Sequence, residues 1–292
     1  MMKKIKNPHR TYKLVLSVCL ACLLYLAIPG SSEAQVRSAS HEELVKIALK
    51  DKYCLTLTFN DYPGYAFNLW LPELAIFDSD LDRSQAADPI DGVWLAKRHG
   101  KLQVTGRLRA GNKSMDFKCT LNPLSSSSIM LELEVLNSGQ VDWADYTQLA
   151  VCLAPADDNV SFSDTTGERS YINGQDAGIS SITSAGEVGD YNHYAIGDRI
   201  DNSDSIQRAR LNDGFVARES TDGKISISFM WEEAARVDVN PGGLDCIHSH
   251  PAVGPLKAGD SKSLKGFIVI REGTPGDHYV LMKDLIDKHG DK

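Results

Sequence analysis

Apolar residues recur at every second position in a dozen or so short runs of this chain, and each run is cut by Gly, Pro, Asn, Asp or Ser. A period of two is the repeat of a strand, whose side chains alternate between faces. Tyr53–Phe59, Ala66–Leu71, Gly92–Arg98, Leu102–Arg109, Met115–Leu121, Ser128–Leu136, Thr147–Leu153, Ile225–Trp231 and Leu264–Ile270 all read this way. Gly111-Asn112-Lys113 between two of them has the composition of a hairpin turn. In Ile129–Leu136 the alternation sets Glu132 and Glu134 on a solvated face opposite Leu131 and Leu133. Helical signals are confined to the two ends. Ser40-His41-Glu42-Glu43 ahead of Leu44–Leu49 has a capping-box pattern, and Asp277–His289 has helical spacing with Gly290 as a stop. With no alternation of strand and helix, the expected fold is all-β: a large antiparallel β-sandwich with short terminal helices. Residues 155–223 break the rhythm. They are rich in Asp, Ser, Gly and Asn and read as long loops, the usual seat of function.

The first 34 residues stand apart from this pattern. Lys3, Lys4, Lys6, Arg10 and Lys13 precede an apolar run from Leu14 to Ile28, and Ser32-Glu33-Ala34 is a small-x-small cleavage pattern. This is the build of a signal peptide, so residues 35–292 are expected as a single sandwich domain that is periplasmic or secreted and not membrane-embedded. The full chain carries a net charge of −8, and from Gln35 onward the count is about −12. An acidic chain without a Lys/Arg stripe argues against nucleic acid as a partner. Four cysteines remain after cleavage: Cys54, Cys119, Cys152 and Cys246. In an exported chain they are read as disulfide-forming, with three possible pairings.

Side chains able to do chemistry are densest between Trp231 and Pro251. On an extended chain Cys246, His248 and His250 share a face. That set can be read as a bridged cysteine with structural histidines, as an open zinc site, or as acid/base machinery with Glu232, Glu233 or Asp245 as carboxylate partner. The acid/base reading takes His248, His250 and Glu232 as catalytic and uses Trp231 as a flat apolar face for a sugar ring. Asp78, Asp80 and Asp82 begin a calcium-loop pattern that Arg83 and Pro89 then leave, and Asp198, Asp201, Asn202 and Asp204 form a second oxygen-rich cluster. No cofactor is expected, calcium and zinc being the ions these residues could take. Arg169, in the long loops, can fork onto a carboxylate or a pair of sugar hydroxyls. No nucleophile elbow, phosphate loop or dinucleotide fingerprint occurs.

The strand-rich pattern, with Pro255-Leu256-Lys257-Ala258-Gly259-Asp260 ahead of Leu264–Ile270, resembles the galactose mutarotase-like supersandwich proteins. Phe162–Tyr171 together with Cys246–Pro251 is similar to a group of exported bacterial proteins. Aldose epimerases of that superfamily use a His acid and a Glu base. Tyr191-Asn192-His193-Tyr194 is similar to their Asn-His-x-aromatic motif, and Glu232 or Glu233 followed by Asn240-Pro241 to their base strand. The resemblance therefore implies carbohydrate binding, or mutarotase- or lyase-like acid/base processing of a sugar, with His193 and Asn240 joining Trp231 and Arg169 as substrate contacts. The alternative is a non-catalytic adhesion or assembly module, possible with calcium. The sequence is silent on oligomeric state.

Overall fold

A computed structural model describes residues 44–51, 54–78, 94–98, 101–156, 159–173, 192–196, 207–241 and 245–290, with backbone alone for 94–98, 192, 193, 195 and 207–210. These residues belong to one compact unit, Glu43–Lys292. The signal-peptide assignment, Asp80, Asp82 and the Asp198–Asp204 cluster lie outside the described residues.

Sixteen strands among the described residues form two eight-stranded sheets. Sheet A runs in the order β1 (Val45–Leu49), β2 (Cys54–Phe59), β3 (Ala66–Ile76), β8 (Gln148–Pro155), β15 (Cys246–Pro251), β14 (Ala234–Asn240), β10 (Asn192–Ile196), β11 (Gln207–Leu211). Sheet B runs β4 (Trp94–Arg98), β5 (Lys101–Ala110), β6 (Lys113–Ser125), β7 (Ser128–Asn137), β16 (Ser261–Glu272), β13 (Ile225–Trp231), β12 (Val216–Glu219), β9 (Ser170–Ile172). Pairing is antiparallel except between β10 and β11. This is the all-β sandwich that the alternation calls for. The long 155–223 segment also contributes four strands, β9 to β12; the short apolar spots Tyr171-Ile172 and Phe215-Val216 point to β9 and β12 as the short strands that tie it down, while β10 and β11 carry no such signal.

The core between the sheets follows the period of two. Phe67, Leu69 and Leu71 of β3, Leu149, Val151 and Leu153 of β8, and Val237 and Val239 of β14 meet Leu131, Leu133, Phe229, Trp231, Ile268 and Ile270 from sheet B. Glu132 and Glu134 stand on the other face of β7, where they pair with Lys101 and Lys118. One end departs from expectation. Leu44–Leu49 was expected to be helical, but Val45–Leu49 is a strand laid antiparallel on β2. Five residues cannot sustain a helix without packing, whereas Val45 and Ile47, two apart, both reach the core.

The other end is helical. α1 (Pro275–His289) starts at Thr274, whose hydroxyl accepts from the Asp277 N–H while the Asp277 carboxylate accepts from the Thr274 N–H. Met282 is fully buried, and with Tyr279, Leu285 and Ile286 it covers Met230, Phe215, Phe267 and Val269 on the outside of sheet B. That helix covers the outer face of sheet B around β13 and β16. The chain reaches the outer face of sheet A by a two-residue crossing, Glu232-Glu233, that takes it from β13 in sheet B to β14 in sheet A.

Candidate functional site

Ile247 of β15 packs into the core, so Cys246, His248 and His250 stand on the opposite, outer face of sheet A. They are nonetheless buried, at 2%, 4% and 2% exposure. Burial of so many polar groups on one sheet face demands partners, and the neighbouring strands supply them. On β14, Arg236, Asp238 and Asn240 alternate with the core valines. Asp238 lies opposite His248, and Arg236 opposite His250. On β8, Cys152 lies opposite His248 and Trp70 of β3 lies opposite Cys152.

The geometry resolves into two linked pairs. His250 Nε2 is 3.2 Å from Asp238 Oδ2. Asp238 is itself gripped by Arg236, whose Nε lies 2.8 Å from Oδ1 and whose NH2 donates to Oδ2 at 2.8 Å. A further N–H of Arg236 reaches the Tyr146 hydroxyl at 3.0 Å. His248 Nε2 is 3.6 Å from both Glu73 Oε2 and Cys246 Sγ. The Asn240 side-chain amide donates to Cys246 Sγ at 3.5 Å. The two imidazoles meet edge to face with centroids 5.4 Å apart. The Nδ1 atoms of both rings and Nε2 of His250 are buried and make no hydrogen bond among the described residues, so His250 meets Asp238 as a close polar contact rather than an aligned hydrogen bond.

Charge follows from this arrangement. Burial pushes His250 down to about 4, Asp238 only partly offsetting it, so its ring is neutral. Burial works against charging His248 as well, but the Cys246 sulfur and then Glu73 push it up to about 10. The facing His248 ring holds the Glu73 carboxyl below its ordinary range. Within the two thiols, Cys246 is pulled down by its contact with Cys152 and by His248, while burial pushes Cys152 up. The face therefore carries one neutral imidazole on a carboxylate, and one imidazolium between a thiolate and a carboxylate.

Glu73 arrives there because β3 is irregular. Between the Trp70–Cys152 and Leu74–Ala150 pairs, three β3 residues face the single residue Val151. Strict alternation from Leu71 would send Glu73 into the core; the bulge re-aims it. Its side chain is 39% exposed. With the half-buried Trp70, which packs on Cys152, Ala154 and Cys246, it forms the solvent-facing edge of the cluster.

The sequence-derived candidates divide accordingly. His248, His250 and Asn240 come together, and His193 lies opposite Asp238 in the β10–β14 ladder. Glu232 does not join them. It sits at the crossing between the sheets and accepts from the Lys265 N–H at 2.6 Å, and Glu233 pairs with Lys262. Trp231 is fully buried in the sandwich core, with its indole over Gly266, so it offers no face to a ligand. It shares the alternation of Ile227 and Phe229, which puts it on their side. Arg169 donates to the Ser163 carbonyl beside a separate buried network. There Asp164 accepts from Ser170, Gly167 N–H and Arg169 N–H, and Arg218 binds Ser170 and Asp245. Asp245 belongs to that network too. Asp78 spends its carboxylate on Lys113, the Ala144 N–H and Thr147, which leaves it tied to structure rather than to calcium.

Glu73, Asp238, Arg236, Trp70 and Cys152 escaped the sequence reading. Pro72 inside a strand pattern was a bulge signal, and Asp238 and Arg236 alternate with valines as His248 and His250 alternate with Ile247. Nothing in one dimension announces that β8 is the neighbour of β15. The disulfide expectation is also corrected, since the four cysteines are buried and no disulfide joins them. Cys119 lies in the main core, across the sandwich from the other three, and strand packing rather than cross-linking accounts for its burial.

No protein-family profile matches the chain, and no curated protein matches it. Among solved structures it is similar to a candidate aldose 1-epimerase of Escherichia coli K12, at 10% identity over 78% of this chain and 100% of that one, with a TM-score of 0.38. It is similar to a galactose mutarotase related enzyme of Lactobacillus acidophilus at 10% identity, over 79% and 98%, with a TM-score of 0.39. It also matches a polysaccharide lyase at 11% identity over 82% of this chain and 34% of that one, with a TM-score of 0.41. Two of these bear the names to which the sequence resemblance led. At such identities and scores they carry no argument about the site.

Proposed function

We propose that this protein binds a carbohydrate on the outer face of sheet A and moves a proton on it, with His250 as the proton-transfer group and Asp238 holding its ring. The observation that carries the reading is the Asp238–His250 contact of 3.2 Å set 5.4 Å, ring to ring, from the Glu73–His248 pair on one sheet face. A carboxylate-backed imidazole beside a second charged pair is a general acid/base arrangement. A sugar presents hydroxyls to such groups and an apolar ring face to an aromatic. Trp70, rather than Trp231, supports the stacking role, since it lies half-buried at the solvent-facing edge. Arg236, oriented by Asp238 and Tyr146, fixes that carboxylate. The Glu73–His248 pair supplies a fixed charge for developing charge on the substrate.

The experiment is a turnover and binding screen of mono- and oligosaccharides with the protein and with His250→Ala, Asp238→Asn and Trp70→Ala, each checked for folding by circular dichroism. The reading expects His250→Ala to abolish turnover while sugar still binds, and Trp70→Ala to weaken binding. A folded His250→Ala variant with unchanged turnover overturns it. Export belongs to the same reading. N-terminal sequencing of protein recovered from outside the cytoplasm should begin at Gln35, and an intact N-terminus there would remove the signal-peptide assignment.

A further inference from the structure

Two sulfurs, an imidazole and a carboxylate converge where β3, β8 and β15 lie side by side. Cys152 Sγ, Cys246 Sγ and a ring nitrogen of His248 all lie within 4.8 Å of one another. Glu73 Oε2 and Cys246 Sγ each lie 3.6 Å from His248 Nε2. Three of these donors are almost wholly buried, and no disulfide joins the sulfurs.

Cys152, Cys246 and His248 make one face of a possible coordination tetrahedron, with Glu73 beside the ring nitrogen but outside that close set. Bonds of about 2.3 Å to sulfur and about 2.0–2.1 Å to nitrogen or oxygen, at tetrahedral angles, put sulfur about 3.6 Å from nitrogen and nitrogen about 3.4 Å from oxygen. The sulfur–nitrogen contact fits, and the nitrogen–oxygen contact is about 0.2 Å long. As a bare hydrogen-bond set the same group is poor. Two acceptors compete for the single Nε2 at 3.6 Å, a length at which a hydrogen bond to oxygen is effectively absent. The sulfur contact is within hydrogen-bond range but the carboxylate contact is not, and a bound cation would satisfy both acceptors at once. The Asn240 amide, 3.5 Å from Cys246 Sγ, is placed as the outer hydrogen bond that a metal-bound thiolate accepts.

We propose that Cys152, Cys246 and His248 form a site for a tetrahedral transition-metal ion, with zinc the best match and the partly exposed Glu73 closing in as the fourth ligand. Two thiolates and an imidazole select a borderline-soft ion over calcium or magnesium, which take oxygen donors. Binding releases two protons, one from the Cys152 thiol and the one that Cys246 and His248 share between sulfur and ring nitrogen, so that two thiolates and a neutral imidazole face the ion. With four protein ligands the centre is closed and structural. It clamps the β3 bulge to β8 and β15 and thereby fixes the edge formed by Glu73 and Trp70. This inference shares Glu73 and His248 with the sugar reading but not His250, Asp238 or Trp70; metal uptake and sugar turnover are read separately, so either can fail alone.

The test uses the full-length protein, purified under reducing conditions without chelator. Elemental analysis should find about one zinc per chain, and removal by chelator should lower Tm, with recovery on adding zinc. Cobalt loaded into the emptied protein should give intense visible bands of a tetrahedral ion and a thiolate-to-cobalt charge-transfer band in the near ultraviolet. Cys152→Ser and Cys246→Ser should each weaken the charge-transfer band, and Glu73→Gln should shift the visible bands while keeping it. Cys54→Ser, a buried thiol on β2 outside the set, should leave the spectrum unchanged and serves as the folding control. Folded protein that takes up neither ion overturns the proposal. So does a spectrum insensitive to both Cys152→Ser and Cys246→Ser, or a Cys152–Cys246 disulfide in protein kept reduced.

Discussion

Replacing Trp231 with alanine tests whether this residue belongs to the core or to a ligand. Its indole is fully buried, lies 6.1 Å from the Phe229 ring, and rests on Gly266, its partner across the β13–β16 ladder. A Cβ at position 266 would come within 2.6, 2.7 and 3.0 Å of three ring atoms, where carbon contacts are comfortable at about 3.5–4.0 Å. Only glycine lets the ring lie across β16. Deleting a buried tryptophan side chain costs about 3–5 kcal/mol, and in a domain of this size each kcal/mol moves Tm by about 2–4 °C. Trp231→Ala should therefore melt at least about 6 °C lower. Gly266→Ala should cost about 1–3 kcal/mol through overpacking. The indole N–H has no acceptor among the described residues, so Trp231→Phe removes a buried orphan donor along with some volume, and should cost less than Trp231→Ala. Because phenylalanine also vacates the space above residue 266, Trp231→Phe and Gly266→Ala should not add; a coupling of about 1 kcal/mol is expected in a double-mutant cycle. The assay is urea or thermal unfolding followed by circular dichroism. Strict additivity, or a Trp231→Ala variant that melts like the parent but loses sugar affinity, would refute the core assignment.

His278 gives a pH signature independent of the site. It is buried under α1 between the Ser228 hydroxyl and the Arg271 carbonyl, near Arg271 and Asp277, and burial pushes it down to about 4. An unfolded chain takes up that proton near pH 6.5, so this contribution is complete above that value and is lost as pH falls toward 4. Between about pH 7 and pH 5 the protein should lose about 2 kcal/mol that His278→Gln does not lose; parallel pH profiles in urea melts would contradict this. At the other end of the sandwich, Asp245→Asn leaves Arg218, 2.5 Å away and wholly buried, without its ion partner. It should cost about 3 kcal/mol, partly recovered by adding Arg218→Met. Asp245 has a φ of 47°, which asparagine tolerates, so backbone strain does not confound the comparison. An Asp245→Asn loss below about 0.5 kcal/mol would be no more than a surface substitution costs, and would show the pair to be dispensable.

The fold was legible because alternation is a local property. Ile129–Leu136 and Ile225–Trp231 announce both that they are strands and which residues share a face, and the structure obeys both. The same alternation already assigned Trp231 to the side of Ile227 and Phe229; reading it as a ligand face set chemistry above the pattern. At Leu44–Leu49 a capping motif suggested a helix, but the β2 ladder and the buried Val45 won, as tertiary pairing does over short-range propensity. The site was half legible. Cys246, His248 and His250 could be seen because they lie on one strand. Their partners Asp238, Cys152 and Glu73 come from β14, β8 and a bulge in β3, and strand order and bulge geometry are not written in any one segment.

The proposed function turns on where a sugar sits. A crystal structure of the protein with a carbohydrate found by screening would decide it. A sugar ring is expected against Trp70, with a hydroxyl or ring oxygen within hydrogen-bond reach of His250 and with Glu73 at its edge. A sugar held elsewhere, over sheet B or at the Asp164–Arg218–Asp245 end, with the outer face of sheet A untouched, would contradict it.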